Sequence, residues 1–258
     1  MSNWSFDLRA QQRPMRARTG QAPTHMRGRL LARRLACQTW STAATRMGGV
    51  PLLAGPAIVP GSFARLTQPV LELDDAVLRP WQASDAPDVV RAYAEPSIQQ
   101  WHVRSMTEDE ARAWIGSWPH RWAQEAAGGW AIADGSGLLG QISLRRLDLG
   151  NGLGEVSYWV LPPARGRRLA TRAVRALSGW VFEQLQLHRV ELTHSTANPA
   201  SCRVAERAGY RLEGTKRREG LHADGWHDMH LHARLVDDPP QDAAAPARRA
   251  DVPRGTSL

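Results

Sequence analysis

The sequence predicts an α/β (α+β) fold: a mixed sheet flanked by helices, with one parallel crossover. Three observations carry this. Strand-like and helix-like segments alternate through residues 69–238. Residues 155–194 read strand, helix, strand, the pattern of a parallel crossover. Asp134-Gly135-Ser136-Gly137 joins two apolar runs as a tight hairpin, which pairs its strands antiparallel.

Taken in order, Val70–Trp81 reads as a strand or hairpin, and Ser84-Asp85 offers an N-cap for a helix running through Tyr93. Thr107-x-x-Glu110 is a capping box before a second helix, with Ala111, Trp114, Ile115, Trp118 and Trp122 along one side. Trp130–Ala133 and Leu138–Leu147 are the hairpin strands, and Glu155–Leu161 is the next strand. Leu169–Leu187 is amphipathic, with Ala170, Ala173, Val174, Leu177, Val181 and Leu185 at helical spacing. Arg189–His194 alternates as a strand, and Pro199–Ala208 is a short helix stopped by Gly209. Tyr210–Glu213 and Trp226–Leu235 close the sheet, with Asp224-Gly225 as the turn before the last strand.

The 258 residues carry a formal charge of +8, which read whole suggests a nucleic-acid binder. The charge is not evenly spread. Residues 1–68 hold ten arginines and one acid, for +9, while residues 69–238 come to −2. The basic segment has five prolines, six glycines and no sustained period, so it reads as a disordered extension. A basic helical turn at Arg27–Ala36, a twin-arginine signal at Arg33-Arg34, a transit peptide and a nucleic-acid tail are its functional alternatives. Met15, Met26 and Met47 are internal candidates for a later start. Residues 239–258 form a Pro/Ala-rich tail, also expected to be disordered. The near-neutral middle argues against nucleic acid as the domain's partner. Two cysteines, Cys37 and Cys202, exclude a disulfide framework and fit a reducing, cytoplasmic setting. No apolar run approaches the roughly eighteen residues of a membrane span.

The chemistry concentrates in YWVLPPARGRRLATRAV, residues 158–174. A strand enters Pro162-Pro163, a loop follows over 164–168, and a helix begins. Successive backbone N–H groups at a helix N-terminus, beside Arg165, Arg167 and Arg168, suit a pyrophosphate. A solvated basic turn is the plainer alternative.

Together with EVSYWV before the loop and ANPASCRVAERAGYRLEG at 197–214, this stretch resembles the GNAT superfamily of acyl-CoA-dependent N-acetyltransferases. The similarity is greatest to the branch of ribosomal-protein N-terminal (alanine/serine) acetyltransferases and their small-amine relatives. It covers about residues 71–236. It includes Leu78-Arg79-Pro80, the GGWAI run at Gly128–Ile132, HRVEL at His188–Leu192, Asn198-x-x-Ser201 and Asp224-Gly225-Trp226. The resemblance implies a mixed, mostly antiparallel sheet flanked by helices, with one parallel splayed strand pair. It also implies acetyl-CoA as co-substrate, no metal, direct transfer to an amine in a ternary complex, and a homodimer. It assigns the coenzyme A pyrophosphate to the loop Arg165, Gly166, Arg167, Arg168, Leu169, Ala170 and on to Thr171. The pantetheine arm falls to the backbone near Val160 and to Asn198. The family's central glycine is here Arg168, which either adds a charge-assisted contact or crowds the loop.

Acetyl transfer requires a neutral amine, a donor for the thioester oxygen and a proton for the departing thiolate. The resemblance implies Glu155 as base, directly or through water, and Ser201 near the sulfur as donor or acid. A salt-bridged strand glutamate and a helix first-turn serine are the structural alternatives. The tyrosine acid of other branches falls at Ala205. Trp101 and His102 are the expected acceptor-side residues, whereas Trp114, Trp118 and Trp122 read as core. His222, His227, His230 and His232 invite a metal, but alternation turns His230 and His232 away from Met229, Leu231, Ala233 and Leu235. No acid or cysteine was expected to complete their set, and Cys202 reads as a small buried residue. The expected activity is acetylation of a protein N-terminus or a small amine, antibiotics included. The alternative is a non-catalytic acyl-CoA-binding or regulatory module.

Overall fold

Turn chemistry sets the order of the sheet. Asp134 accepts from the backbone and hydroxyl of Ser136 and tightens the hairpin between β3 (Gly128–Asp134) and β4 (Gly137–Asp148). A second hairpin precedes it, β1 (Leu71–Leu73) and β2 (Ala76–Pro80), and β5 (Leu153–Val160) follows. With β6 (Arg189–Ser195), β7 (Arg211–His222) and β8 (Gly225–Leu235) they form one sheet in the order β1-β2-β3-β4-β5-β6-β8-β7. All neighbours are antiparallel except β5 and β6, as the crossover predicts. The computed structural model describes residues 46–47, 50–51 and 54–239. The expectations for the Arg-rich stretch before residue 46 and for the tail from residue 240 lie outside the described residues.

Helices cover both faces, and strand alternation assigns the side chains. On one face α5 (Leu169–Trp180) buries Leu169, Ala173, Val174 and Leu177 against Val156, Ile142, Leu144, Val190 and Leu192. The stretch Val181–Leu185 continues α5 as a wider π turn and ends at Gln186 in the left-handed region. The helix α6 (Pro199–Arg207) lies on this face too, with Ala205 in the same core. On the other face α1 (Ala86–Ala94), α2 (Pro96–His102) and α3 (Glu108–Gly116) enclose Val89, Tyr93, Ile98 and Ile115 with Ala131 and Trp159.

Three expectations are corrected. The helix read through Trp122 is two helices. Its capping box is present, with Thr107 Oγ1 accepting from Glu110 N–H and Glu110 Oε2 from Thr107 N–H, but α3 stops at Gly116. Ser117 and Pro119 open α4 (Trp118–Ala123), because proline cannot donate to the preceding turn. The break sends the tryptophans to different places. Trp114 packs on the α1–α3 core, Trp118 lies against Gly129, and Trp122 joins Phe63, Trp130 and Trp180 in the α5 core. A Cβ on Gly129 would sit 2.5 Å from the Trp118 ring, so that position needs glycine.

The second correction moves the domain's N-terminal edge. Residues from about 57 onward pack onto the sheet, although the extension was expected to run to residue 68. Ile58 and Phe63 are buried in the α5 core. Ala57 and Ile58 N–H donate to Gly150 and Leu149 carbonyls. The Glu125 carboxylate accepts the N–H groups of Gly61, Phe63 and Ala64. Third, β7 runs from Arg211 to His222 rather than stopping at Glu213, with most of its side chains exposed. As the outermost strand it has no buried face to impose alternation.

Candidate functional site

The strands β5 and β6 pair only over Leu153–Glu155 and Arg189–Glu191, and then part. Beyond that point the Tyr158 and Val160 carbonyls point away from β4 and into the gap. Each is met by a side chain: His102 Nε2 lies 3.1 Å from the Tyr158 oxygen, and Arg165 Nε donates to the Val160 oxygen at 3.0 Å. In a strand the N–H of a residue points the same way as its C=O, so both residues offer a donor and an acceptor to the gap.

At the end of β5, Pro162-Pro163-Ala164 makes one 3-10 turn and the chain swings into α5 through Gly166 at φ +83° and Arg168 at φ +55°. Arg168 is thus the N-cap of α5 in the left-handed conformation that glycine adopts without strain. The first α5 bond runs from Arg172 N–H to the Arg168 carbonyl. The N–H groups of Leu169, Ala170 and Thr171 therefore have no acceptor inside the helix. Arg167 does not hang free. It bridges Asp75 at 2.6 Å and Asp134 at 3.6 Å, and Arg172 holds the other Asp75 oxygen at 2.6 Å. These two guanidiniums hold the Asp75 carboxyl down to about 2. Arg165 also reaches Ser97 of α2 at 2.8 Å, and Arg168 is exposed.

On the α5–α6 side of the gap, Tyr158 Oη and Ser201 Oγ are 2.7 Å apart. Asn198 is the N-cap of α6, its side-chain oxygen accepting from Ser201 N–H, which leaves the serine hydroxyl for Tyr158. Burial pushes the Tyr158 phenol far above its usual range, so it stays protonated. Tyr158 is a residue that the sequence reading passed over. The family's tyrosine position falls at Ala205 on α6, so that route was read as absent. The structure brings a different hydroxyl, from the strand, to Ser201, and the YWV run before the loop was the available signal.

On the opposite face, Glu155 is 3% exposed and both of its oxygens are engaged, by Arg145 at 2.7 Å and Arg146 at 3.0 Å. Glu191 is its register partner across β5–β6 and shares that face, a second carboxylate that the sequence reading did not single out. The Glu191 side chain accepts from Arg189 Nε at 2.8 Å. At the C-terminal end of α2, Trp101 stands edge-on to the stacked imidazoles of His222 and His227. His102 is drawn inward to the Tyr158 carbonyl instead. Desolvation lowers its imidazole to about 4, so it is neutral at physiological pH.

The histidines of β8 need a correction of their own. His232 is fully buried and His230 half-buried on the face that α6 covers. Cys202, half-buried on α6, brings its sulfur to 3.8 Å from His232 Nε2, so a cysteine does join the set.

Residues 75–211 match the Acetyltransferase (GNAT) domain family. Over 96 residues, 37% of this chain and 51% of the relative, the chain is 42% identical to YdaF of Bacillus subtilis (strain 168), by name a ribosomal N-acetyltransferase. It is 31% identical to the ribosomal-protein-serine acetyltransferase of Escherichia coli (strain K12) over 100 residues, 39% of this chain and 56% of that protein. The chain thus spans about half the length of these curated relatives. Among solved structures, RimL, a ribosomal alpha-N-protein acetyltransferase in complex with coenzyme A, superposes with a TM-score of 0.62 at 19% identity. That match covers 66% of this chain and all of RimL. Among the described residues no helix is long and apolar enough to cross a membrane.

Proposed function

The chain belongs to the GNAT acetyltransferase family, and we propose that it moves an acetyl group from acetyl-CoA to a primary amine, a protein N-terminus before a small amine. The observation that carries this reading is the Tyr158–Ser201 hydroxyl pair in the gap between β5 and β6, directly ahead of the N–H-rich start of α5. The names of the relatives favour a protein over a small amine as acceptor.

In this reading the N–H groups of residues 166–171, with Arg168, hold the pyrophosphate. The pantetheine arm lies in the gap against Val160 and Asn198, and Arg165 yields the Val160 carbonyl to it. The amine nitrogen attacks the thioester carbon and the C–S bond breaks. Ser201 gives its proton to the thiolate, the protonated Tyr158 phenol steadies the serine oxygen by its hydrogen bond, and water returns the proton to Ser201. The proton shed by the amine passes through water to Glu155. An α-amino group has an ordinary pKa of about 7.7–8.0, so much of it is already neutral near pH 7.5 and a guanidinium-bound carboxylate suffices. A lysine-type amine at about 10.4 would need a stronger base. Trp101 lines the acceptor side, while His102 acts through the Tyr158 carbonyl as a positioning residue.

The test is thiol release from acetyl-CoA across N-terminal peptides and small amines, with mass spectrometry of the products. Ser201→Ala and Tyr158→Phe are expected to lower kcat by about 10²-fold with little change in acetyl-CoA binding. Glu155→Gln should cost less as pH rises, because the amine then deprotonates unaided. Acetyl-CoA binding without turnover of any amine would favour a non-catalytic acyl-CoA-binding module.

A further inference from the structure

Beneath α6, four metal-ligating side chains converge that the transfer reaction does not use. His194 on β6 is the register partner of His230 on β8, and His232 lies two residues further on, so all three imidazoles share one face. The helix α6 closes over them with Cys202. One ligand atom from each of the four lies within 4.8 Å of the others, the one such group among the described residues. The Cys202 sulfur is 3.8 Å from His232 Nε2, near the separation of about 3.6 Å between sulfur and nitrogen ligands on one tetrahedral ion.

The hydrogen bonding leaves lone pairs facing inward. His194 Nδ1 meets the Ser195 carbonyl at 2.8 Å and must carry the proton, which makes Nε2 the lone-pair nitrogen. That Nε2 is buried without a hydrogen-bond partner on a residue only 6% exposed, and His230 Nδ1 is likewise buried and unpartnered. Imidazoles of His194 and His232 stack at 5.1 Å between centroids, an arrangement that leaves their edges free for a common ligand. A backbone carbonyl behind a ligating imidazole fixes its tautomer and orientation, as Ser195 does for His194. Glu206 accepts the Cys202 thiol at 3.5 Å, a ready acceptor for the proton lost on metal binding.

We propose that His194, Cys202, His230 and His232 form a tetrahedral zinc site that ties α6 to strands β6 and β8. Three imidazoles and one thiolate are a donor set suited to Zn²⁺, and half-exposed His230 and Cys202 leave a way in. On binding, three Zn–N bonds and one Zn–S bond replace the ion's waters, and the thiol proton is released. Ser201 adjoins Cys202, so the ion would also steady the turn of α6 that carries the hydroxyl.

The test is a titration of chelator-treated full chain with Co²⁺ alone. The expected result is one equivalent bound, with the intense visible bands of tetrahedral cobalt, a near-ultraviolet thiolate-to-cobalt band, and displacement by Zn²⁺. Cys202→Ser should abolish the thiolate band, and His230→Ala should weaken cobalt binding at least tenfold, with far-ultraviolet circular dichroism confirming that both variants fold. Cys37→Ser should change neither. A weak octahedral spectrum, no stoichiometric binding, or a thiolate band that survives Cys202→Ser and vanishes with Cys37→Ser would overturn the site. These readouts are independent of turnover, so they stand apart from the fate of the proposed reaction.

Discussion

His102 shows how a single side chain couples the two faces of the sheet. It comes from α2, yet its imidazole meets the carbonyl of the residue whose phenol faces Ser201. Desolvation makes its folded pKa, about 4, lower than the unfolded value of about 6.5, so between those pH values the unfolded chain binds more protons. Its contribution is complete above pH 6.5 and is lost as pH falls toward 4, up to roughly 3 kcal/mol. Urea denaturation from pH 7 to 4.5 is expected to show this slope together with that of His194, His222 and His232, also lowered by burial. His102→Gln, which keeps an N–H donor, should make it shallower. Arg168 makes the converse case. The residue has the left-handed conformation that a glycine would supply, at a strain of about 1 kcal/mol. Arg168→Gly is expected to raise the melting temperature by roughly 2–4 °C. Acetyl-CoA affinity by calorimetry should fall as the charge-assisted contact to the pyrophosphate is lost; a large gain would mean that the arginine obstructs the phosphates.

At the scale of elements, legibility follows burial. The amphipathic α5, the capped α3, the hairpin at Asp134–Gly137 and the crossover are all visible in the sequence because each has one buried face or one turn with obligatory chemistry. The short α2 escaped, since seven residues with one fully buried side chain, Ile98, give almost no period. The strand β7 escaped because an outer strand has no buried stripe. At the site, the loop was legible from its strand–loop–helix order, whereas Ser201 entered only through the family resemblance. The Tyr158 hydroxyl and the Glu155–Glu191 pairing were not legible, because strand register is a long-range property. The segment over 57–68 escaped for a related reason: its anchors Glu125, Gly129 and Trp122 lie about sixty residues away. Phe63→Ala is expected to cost about 3–5 kcal/mol in denaturant titrations. A chain begun at residue 66 should be far less stable than one begun at 54.

For the molecule as a whole, the net charge of +8 divides into +8 over residues 1–53, −1 over 54–238 and +1 over 239–258. Salt-dependent retention on DNA or RNA, if it occurs, should therefore vanish when residues 1–53 are removed, with acetyl-CoA binding intact. The division of the sheet has a different consequence. Five strands lie on one side of the β5–β6 junction and three on the other, and the two groups share only three paired positions. In amide hydrogen exchange that junction is a seam. The N–H groups of Tyr158 and Val160, which face it, should take up deuterium far faster than those of β3 and β4. A ligand whose own amides lie along the seam would act as a borrowed strand, and saturating acetyl-CoA should close both positions to exchange together.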